Sequence, residues 1–222
     1  MNYLNPVRAT FLSRPNRFIA EVLLEGKKVI CHVKNTGRCR ELLVPGAAVI
    51  LDRQDSPTRS TAYDLVAVYK GSRLINMDSQ APNKAAAAFL PGLFPGCTIR
   101  PEVRYGASRF DFKLDGPQSG YLEVKGVTLE ENGAVYFPDA PTERGVRHVL
   151  ELCRCAEAGL GAWLLFVIQM ENVRYFAPND RTDPQFGQAL RCAARHGVQL
   201  LAYDCRVTEQ AMALRRPVEI RL

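Results

Sequence analysis

The first eighty residues alternate short apolar runs with turn signals. Residues 7–12, 17–24, 28–33, 48–51 and 63–69 carry the two-residue period of strands buried on one face. Glu25-Gly26-Lys27 marks a tight turn between the second and third runs, and the polar stretch Asp55-Ser56-Pro57-Thr58-Arg59-Ser60 separates the last two. Asn35-Thr36-Gly37-Arg38-Cys39-Arg40 reads as a loop leading into a short turn of helix at 41–44, stopped by Pro45-Gly46. Five or six short strands in so small a span predict a closed barrel of the OB type over residues 1–80.

The pattern changes after Ala81-Pro82-Asn83. The alanine-rich stretch 84–90 predicts a helix, ended by Pro91-Gly92. Strands follow at about 98–104, 108–114 and 121–128. A helix is expected at about 142–158, with Val146, Val149, Leu150, Cys153 and Ala156 as its apolar stripe and Gly159 beyond its end. The continuously apolar run 163–168 fits a strand buried on both faces. A helix at about 184–196 and a strand at 198–203 complete an α/β (α+β) domain over residues 81–222.

Charge divides the chain unevenly. Residues 1–80 hold twelve Lys/Arg against seven Asp/Glu, which accounts for +5 of the overall +6. A basic first segment suits a polyanion, whose phosphates attract it and release counterions on contact. Arg14, Arg17, Lys34, Asn35, Arg38 and Arg40 are the candidate phosphate contacts there. Phe18 and Tyr63 are candidates for base stacking, although the alternation favours barrel core for Phe18. The seven cysteines form no CxxC pair, and the three histidines have no metal-site spacing, which argues against a zinc enzyme and for reduced thiols in a cytoplasmic protein. No run approaches a membrane span, and the first residues lack the apolar core of a signal peptide.

The chemistry concentrates in a predicted hairpin. In 109–114 the residues Phe110, Phe112 and Leu114 share one side and Arg109, Asp111 and Lys113 the other; in 121–127 Leu122 and Val124 oppose Tyr121, Glu123 and Lys125. If both apolar sets point to one core, Asp111 lies opposite either Glu123 or Lys125, and either register gathers the three charged groups. Two facing carboxylates repel unless a cation or proton lies between them. Mg²⁺ or Mn²⁺ suits such a hard oxygen pair, and Lys125 is placed to orient water and to neutralise charge developing on a phosphate. Glu102, on the preceding strand, is a candidate third ligand. The start of the 142–158 helix, with Arg144 and Arg147 on its polar side, is a further candidate phosphate contact. His148 reads as a packed or solvated histidine rather than a base.

Asp on the second strand and Glu-x-Lys on the third, within this element order, resemble the core of the PD-(D/E)xK nucleases. The stretches Asn35-Thr36-Gly37-Arg38, Ser108-Arg109-Phe110-Asp111-Phe112, Glu123-Val124-Lys125-Gly126-Val127-Thr128-Leu129 and Phe137-Pro138-Asp139-Ala140-Pro141-Thr142-Glu143-Arg144-Gly145 resemble the sugar fermentation stimulation protein A family over nearly the whole chain. That resemblance implies DNA binding, an association with control of maltose fermentation, and an OB-like domain joined to a nuclease-like one. The family often has serine where Gly126 stands. The reading is therefore a DNA-binding protein with a Mg²⁺- or Mn²⁺-dependent nuclease site at Asp111, Glu123 and Lys125. The alternative is a DNA-binding regulator that uses the same scaffold without cutting.

Overall fold

The computed structural model describes residues 1–222 apart from Thr36, Ser56, Pro57 and Ala107. Thr36 of the 35–40 loop and Ser56-Pro57 of the 55–60 loop therefore lie outside the described residues.

The first region is a barrel. Strands β1 (Pro6–Ser13), β2 (Ile19–Leu24), β3 (Lys27–Val33), β4 (Ala48–Arg53), β5 (Tyr63–Lys70) and β6 (Arg73–Asn76) form one sheet in the order β3-β2-β1-β4-β5-β6. Strand β3 also pairs in parallel with β5, His32 with Asp64 and Val33 with Leu65, which closes five strands on themselves as in an OB fold. The alternation places Ala20, Val22, Cys31, Val33, Val49, Leu51 and Leu65 inside. The β2–β3 hairpin turns at Glu25 and Gly26, both left-handed (φ 49° and 78°), the pair of conformations that matches the twist of a two-residue hairpin. The helix expected at 41–44 is a single turn, closed by the Leu43 N–H on the Cys39 carbonyl at 2.9 Å. Strand β6 has only four residues, too few to show a period.

The second region comprises α1 (Ala81–Leu93), β7 (Thr98–Tyr105), β8 (Ser108–Asp115), β9 (Gly120–Val127), β10 (Leu129–Glu131), β11 (Ala134–Phe137), α2 (Glu143–Glu157), β12 (Gly161–Ile168), β13 (Tyr175–Pro178), α3 (Pro184–Arg195), β14 (Gln199–Val207), β15 (Met212–Pro217) and β16 (Glu219–Ile220). Its main sheet runs β15-β14-β12-β9-β8-β7, with β12 parallel to both β9 and β14. Helix α1 covers one face, packing Ala85, Ala86 and Leu90 with Phe112, Leu122, Val124 and Trp163. Helices α2 and α3 cover the other, where Val149, Leu152, Phe186 and Leu190 meet Leu164, Phe166 and Ile168. Burial on both faces is why 163–168 is continuously apolar. A smaller sheet, β10-β11-β13-β16, flanks this layer.

Two local expectations change. Pro91 does not stop α1 but sits in its last turn, where it forfeits one N–H bond two residues before the helix ends. The buried residues of α2 are Gly145, His148, Val149, Glu151, Leu152, Cys153 and Cys155, while Leu150 is 44% exposed. The inward stripe is thus rotated from the expected one, and it carries His148 inside. The chain start clasps the second region: the Met1 ammonium donates to the Met212 carbonyl at 2.8 Å, and the Tyr3 N–H to the Gln210 carbonyl at 2.7 Å. Among the described residues no helix is long and apolar enough to cross a membrane, and all seven cysteines are free.

Candidate active site and basic cleft

The β8–β9 register, Phe112 opposite Leu122 and Leu114 opposite Gly120, sets Asp111 level with Glu123 if continued, the first of the two expected alternatives. The ladder stops before that pair. Instead the Val124 N–H donates to Asp111 Oδ2 at 2.7 Å, and Asn83 Nδ2 of α1 donates to Asp111 Oδ1 at 2.7 Å. On the outer side the β7–β8 pairing passes from Pro101–Phe112 to Val103–Phe110, and between them Glu102 has a left-handed backbone (φ 58°). The expected alternation also breaks here. Phe112 and Leu114 pack under α1, whereas Phe110 packs against Tyr121 and His148 (ring centroids 5.5 and 6.3 Å apart). The kink brings a carboxylate to a point a regular strand would give to a ladder hydrogen bond.

Glu123 is almost fully buried. Its Oε1 accepts from Lys125 Nζ at 2.6 Å and from His148 Nδ1, while its Oε2 is buried without a partner. Because Nδ1 donates to a carboxylate, the His148 Nε2 is free to accept, and Arg144 Nε approaches it at 3.4 Å. Burial opposes ionisation of Glu123, but the hydrogen bond from His148 and the Lys125 ammonium outweigh it and hold the carboxyl below its usual range. Asp111 goes the other way. Burial first, and then the charge of Glu123, push its carboxyl up to about 6.

This arrangement fits a hard divalent cation. Glu123 Oε2 is a desolvated oxygen without a hydrogen-bond partner, and Asp111 is a neighbouring carboxyl whose ionisation is opposed by burial and the Glu123 charge more than Lys125 and its hydrogen bonds favour it. Among the described residues no three His, Cys, Asp or Glu side chains gather into a metal cluster. The pair would supply two protein ligands, the number Mg²⁺ commonly takes beside water and phosphate. Glu102 does not complete the set: it is half exposed and ion-paired with Arg109 at 2.5 Å.

The expected phosphate contacts separate into two groups. Arg17, Arg38 and Arg40 are exposed, have no ion-pair partner among the described residues, and line a cleft of about 440 Å³ with Arg14, Asn16, Gly37, Leu43 and Ala140. The others of the barrel hold structure. Arg14 donates through its two Nη atoms to the carbonyls of Arg17, Asn35, Gly37 and Arg38, with distances of 2.7–2.8 Å, and so fixes the loop, while its buried Nε has no partner. Asn35 accepts from the Gly37 N–H at 2.7 Å and donates to the Met77 carbonyl at 2.9 Å. Lys34 is ion-paired with the buried Asp78 at 3.0 Å. On α2, Arg144 reaches towards His148 as above, and Arg147 is exposed. Thr142 caps this helix through the Gly145 N–H at 3.0 Å.

A second cleft of about 360 Å³ lies between barrel and sheet, walled by Asn35, Gly37, Ser79, Gly126 and the 137–142 loop. Gln169 forms its floor. Its amide donates to Asn76 and to the Asp78 carbonyl, so it ties the two regions together instead of reaching the carboxylates. A Cβ at Gly126 would lie 2.5 Å from Gln169 Oε1 and 2.7 Å from Pro82 Cγ, so a side chain at this position would meet a closed wall. Sequence reasoning missed two members of the site, His148 and Asn83. The i, i+3, i+4, i+7 series 145, 148, 149, 152 was the available signal for His148. Asn83 gives no comparable signal.

Residues 80–211 match the family described as Sugar fermentation stimulation protein RE domain, and residues 12–77 match the SfsA N-terminal OB domain. Sugar fermentation stimulation protein homologs from Ruminiclostridium cellulolyticum and Clostridium perfringens are each 52% identical to this chain, over 226 and 230 residues, with 100% of both chains covered in each case. The solved structure of Pyrococcus furiosus SfsA in complex with Ca²⁺ superposes with a TM-score of 0.89 at 26% identity, covering 100% of this chain and 98% of that one. With both regions matched and full-length relatives at this identity, the chain belongs to the sugar fermentation stimulation protein family.

Proposed function

We propose that this protein binds DNA and hydrolyses its phosphodiester bonds with Mg²⁺ or Mn²⁺ held by Asp111 and Glu123. The observation that carries the reading is the partnerless, buried Glu123 Oε2 beside a carboxyl that burial and Glu123 itself keep from ionising freely. A pure binding module has no use for such an arrangement. The relative from Pyrococcus furiosus was solved with Ca²⁺, another hard, oxygen-seeking cation.

When bound, the cation would act as a Lewis acid on the scissile phosphate and on the attacking water. The protein's own groups do the rest. Asp111, fixed by Asn83 and the Val124 N–H, presents its remaining lone pairs, and Glu123 presents Oε2. His148 holds Glu123 by its other oxygen. The Lys125 ammonium, on the same edge, orients water and offsets the negative charge that builds on the phosphate. Arg17, Arg38 and Arg40 contact the backbone of the nucleic acid without reading sequence.

The test is cleavage of single- and double-stranded DNA with Mg²⁺, Mn²⁺ or EDTA, comparing the wild type with Glu123→Gln and Lys125→Ala. Metal-dependent cutting abolished in both variants is the expected result. DNA binding without cutting under any cation overturns the nuclease part and leaves the non-catalytic regulator, a reading favoured by the absence of a third acidic ligand among the described residues. Binding itself is tested with Arg38→Ala/Arg40→Ala. The slope of log affinity against log salt should flatten by roughly 0.7 per arginine on a single strand.

A further inference from the structure

Three clefts meet at the 35–37 loop. The arginine cleft shares Gly37 and Ala140 with the cleft at Gly126, and that one shares Asn35 and Ser79 with a third, about 130 Å³, walled by Phe18, His32, Val33, Lys34 and Gln80. One continuous surface depression thus runs from the barrel loops to the strand that carries Glu123 and Lys125. Its barrel end is lined by Arg17, Arg38 and Arg40, and no carboxylate lines that part. Asp139 is the one acidic residue lining the middle.

Phe18 lines the third of these clefts. The β2 alternation would turn it inward with Ala20 and Val22, yet it is 52% exposed. Asn16 Oδ1 accepts from the N–H groups of both Phe18 and Ile19 (2.9 and 3.0 Å), so the chain is still in a turn at Phe18, and the strand begins one residue later. The Arg17 guanidinium lies 5.9 Å from the Phe18 ring centroid. A hydrophobic ring half open to water, beside Arg17 of the arginine cleft, offers a base a stacking surface and its phosphate a countercharge.

We infer that the strand entering this groove is single, with an unpaired base stacked on Phe18 and its backbone on Arg17, Arg38 and Arg40. In a duplex both faces of every base are already covered by neighbours, so an aromatic face has nothing to stack on. The inference rests on the nucleic-acid reading above and narrows it to single-stranded substrate.

The experiment is fluorescence anisotropy in EDTA, where no hydrolysis interferes, with a labelled oligothymidylate and a duplex of the same length. The wild type should bind the single strand more tightly. Phe18→Ala should weaken single-strand binding about tenfold, the loss expected for one stacked base, and leave duplex binding unchanged, while Phe18→Tyr restores it. Equal or tighter duplex binding, or an unchanged single-strand affinity in Phe18→Ala, overturns the inference while leaving DNA binding intact. No binding to either oligonucleotide overturns the nucleic-acid reading as well.

Discussion

Two buried carboxylate sites in the second region have opposite electrostatic designs. Asp204, fully buried on β14, accepts from Arg215 Nη2 at 2.6 Å, from Arg215 Nε and the Arg216 N–H at 3.2 Å each, from Arg216 Nε at 3.3 Å and from the Asn172 N–H at 3.2 Å. Burial resists its ionisation, but the Arg215 hydrogen bond and those from the Arg216 and Asn172 backbone outweigh it, and the carboxyl lies below its ordinary range. Nothing is missing from that site. At Asp111 and Glu123, by contrast, one oxygen is orphaned and one carboxyl is pushed up to about 6. Both sites are buried and acidic, so burial alone does not mark function. The direction of the shift separates them: at Asp204 the arginine partners outweigh burial, whereas at Asp111 burial and the charge of Glu123 outweigh the partners, the kind of mismatch that clusters at functional sites.

The comparison is broken most forcefully at its finished end. Asp204→Ala leaves two guanidinium groups facing a void at the β14–β15 pairing. Because both arginines are partly solvated and recover some hydration, the expected loss is about 3 kcal/mol, at the lower end for a broken buried pair, read as a lower denaturation midpoint in urea.

At the unfinished end the expected effect is a gain. Adding Mg²⁺ or Mn²⁺ at a hundredfold excess over its dissociation constant should stabilise the wild type by about 2.7 kcal/mol, seen as a rise in Tm. Glu123→Gln should erase that rise. An equal rise in the variant would place the cation elsewhere.

The pH dependence separates the two carboxylates further. The folded-state pKa of Asp111 lies above its unfolded value, so the folded state holds the extra proton between the two. The corresponding stability is fully present below the unfolded value and is lost as pH rises through about 6. The cation-free wild type should therefore lose roughly 2 kcal/mol between pH 4.5 and 7.5 from this group, and Asp111→Asn should flatten that fall and be the more stable protein at pH 7.5. A variant less stable than wild type at that pH would show that the Asn83 and Val124 hydrogen bonds outweigh the buried charge.

Much of this was legible beforehand because the signals were local. The period-2 runs of the barrel, the apolar run of β12 and the Asp111/Glu123/Lys125 grouping follow from side-chain alternation. Most of the failures at the candidate nucleic-acid contacts come from contacts distant in sequence, and the one at Phe18 from a local turn. Arg14, Lys34 and Asn35 look like free cations and polar contacts in a basic segment, but carbonyls and the Asp78 carboxylate reached through the tertiary fold take up their hydrogen bonds. Phe18 obeyed the strand's parity on paper, and Asn16 ended that parity one residue early. Strands β13 and β16 pair only with remote partners and carry little period of their own.

The smallest expected effect tests whether His148 belongs to the unfinished site or merely fills the core. Its ring is buried against Phe110, so any substitution costs packing, and a loss of stability alone decides nothing. Its specific contribution is the Nδ1 hydrogen bond that fixes one oxygen of Glu123 and leaves the other facing inward. An asparagine places an amide near the position of Nδ1, whereas an alanine places nothing there. Mn²⁺ affinity, measured by titration calorimetry, should therefore fall about tenfold in His148→Ala, the lower range for a group that orients a metal ligand, and recover in part in His148→Asn. If both variants bind Mn²⁺ as the wild type does, Glu123 is held by Lys125 alone, and the histidine stands with the Asp204 arginines as a structural partner of a buried carboxylate.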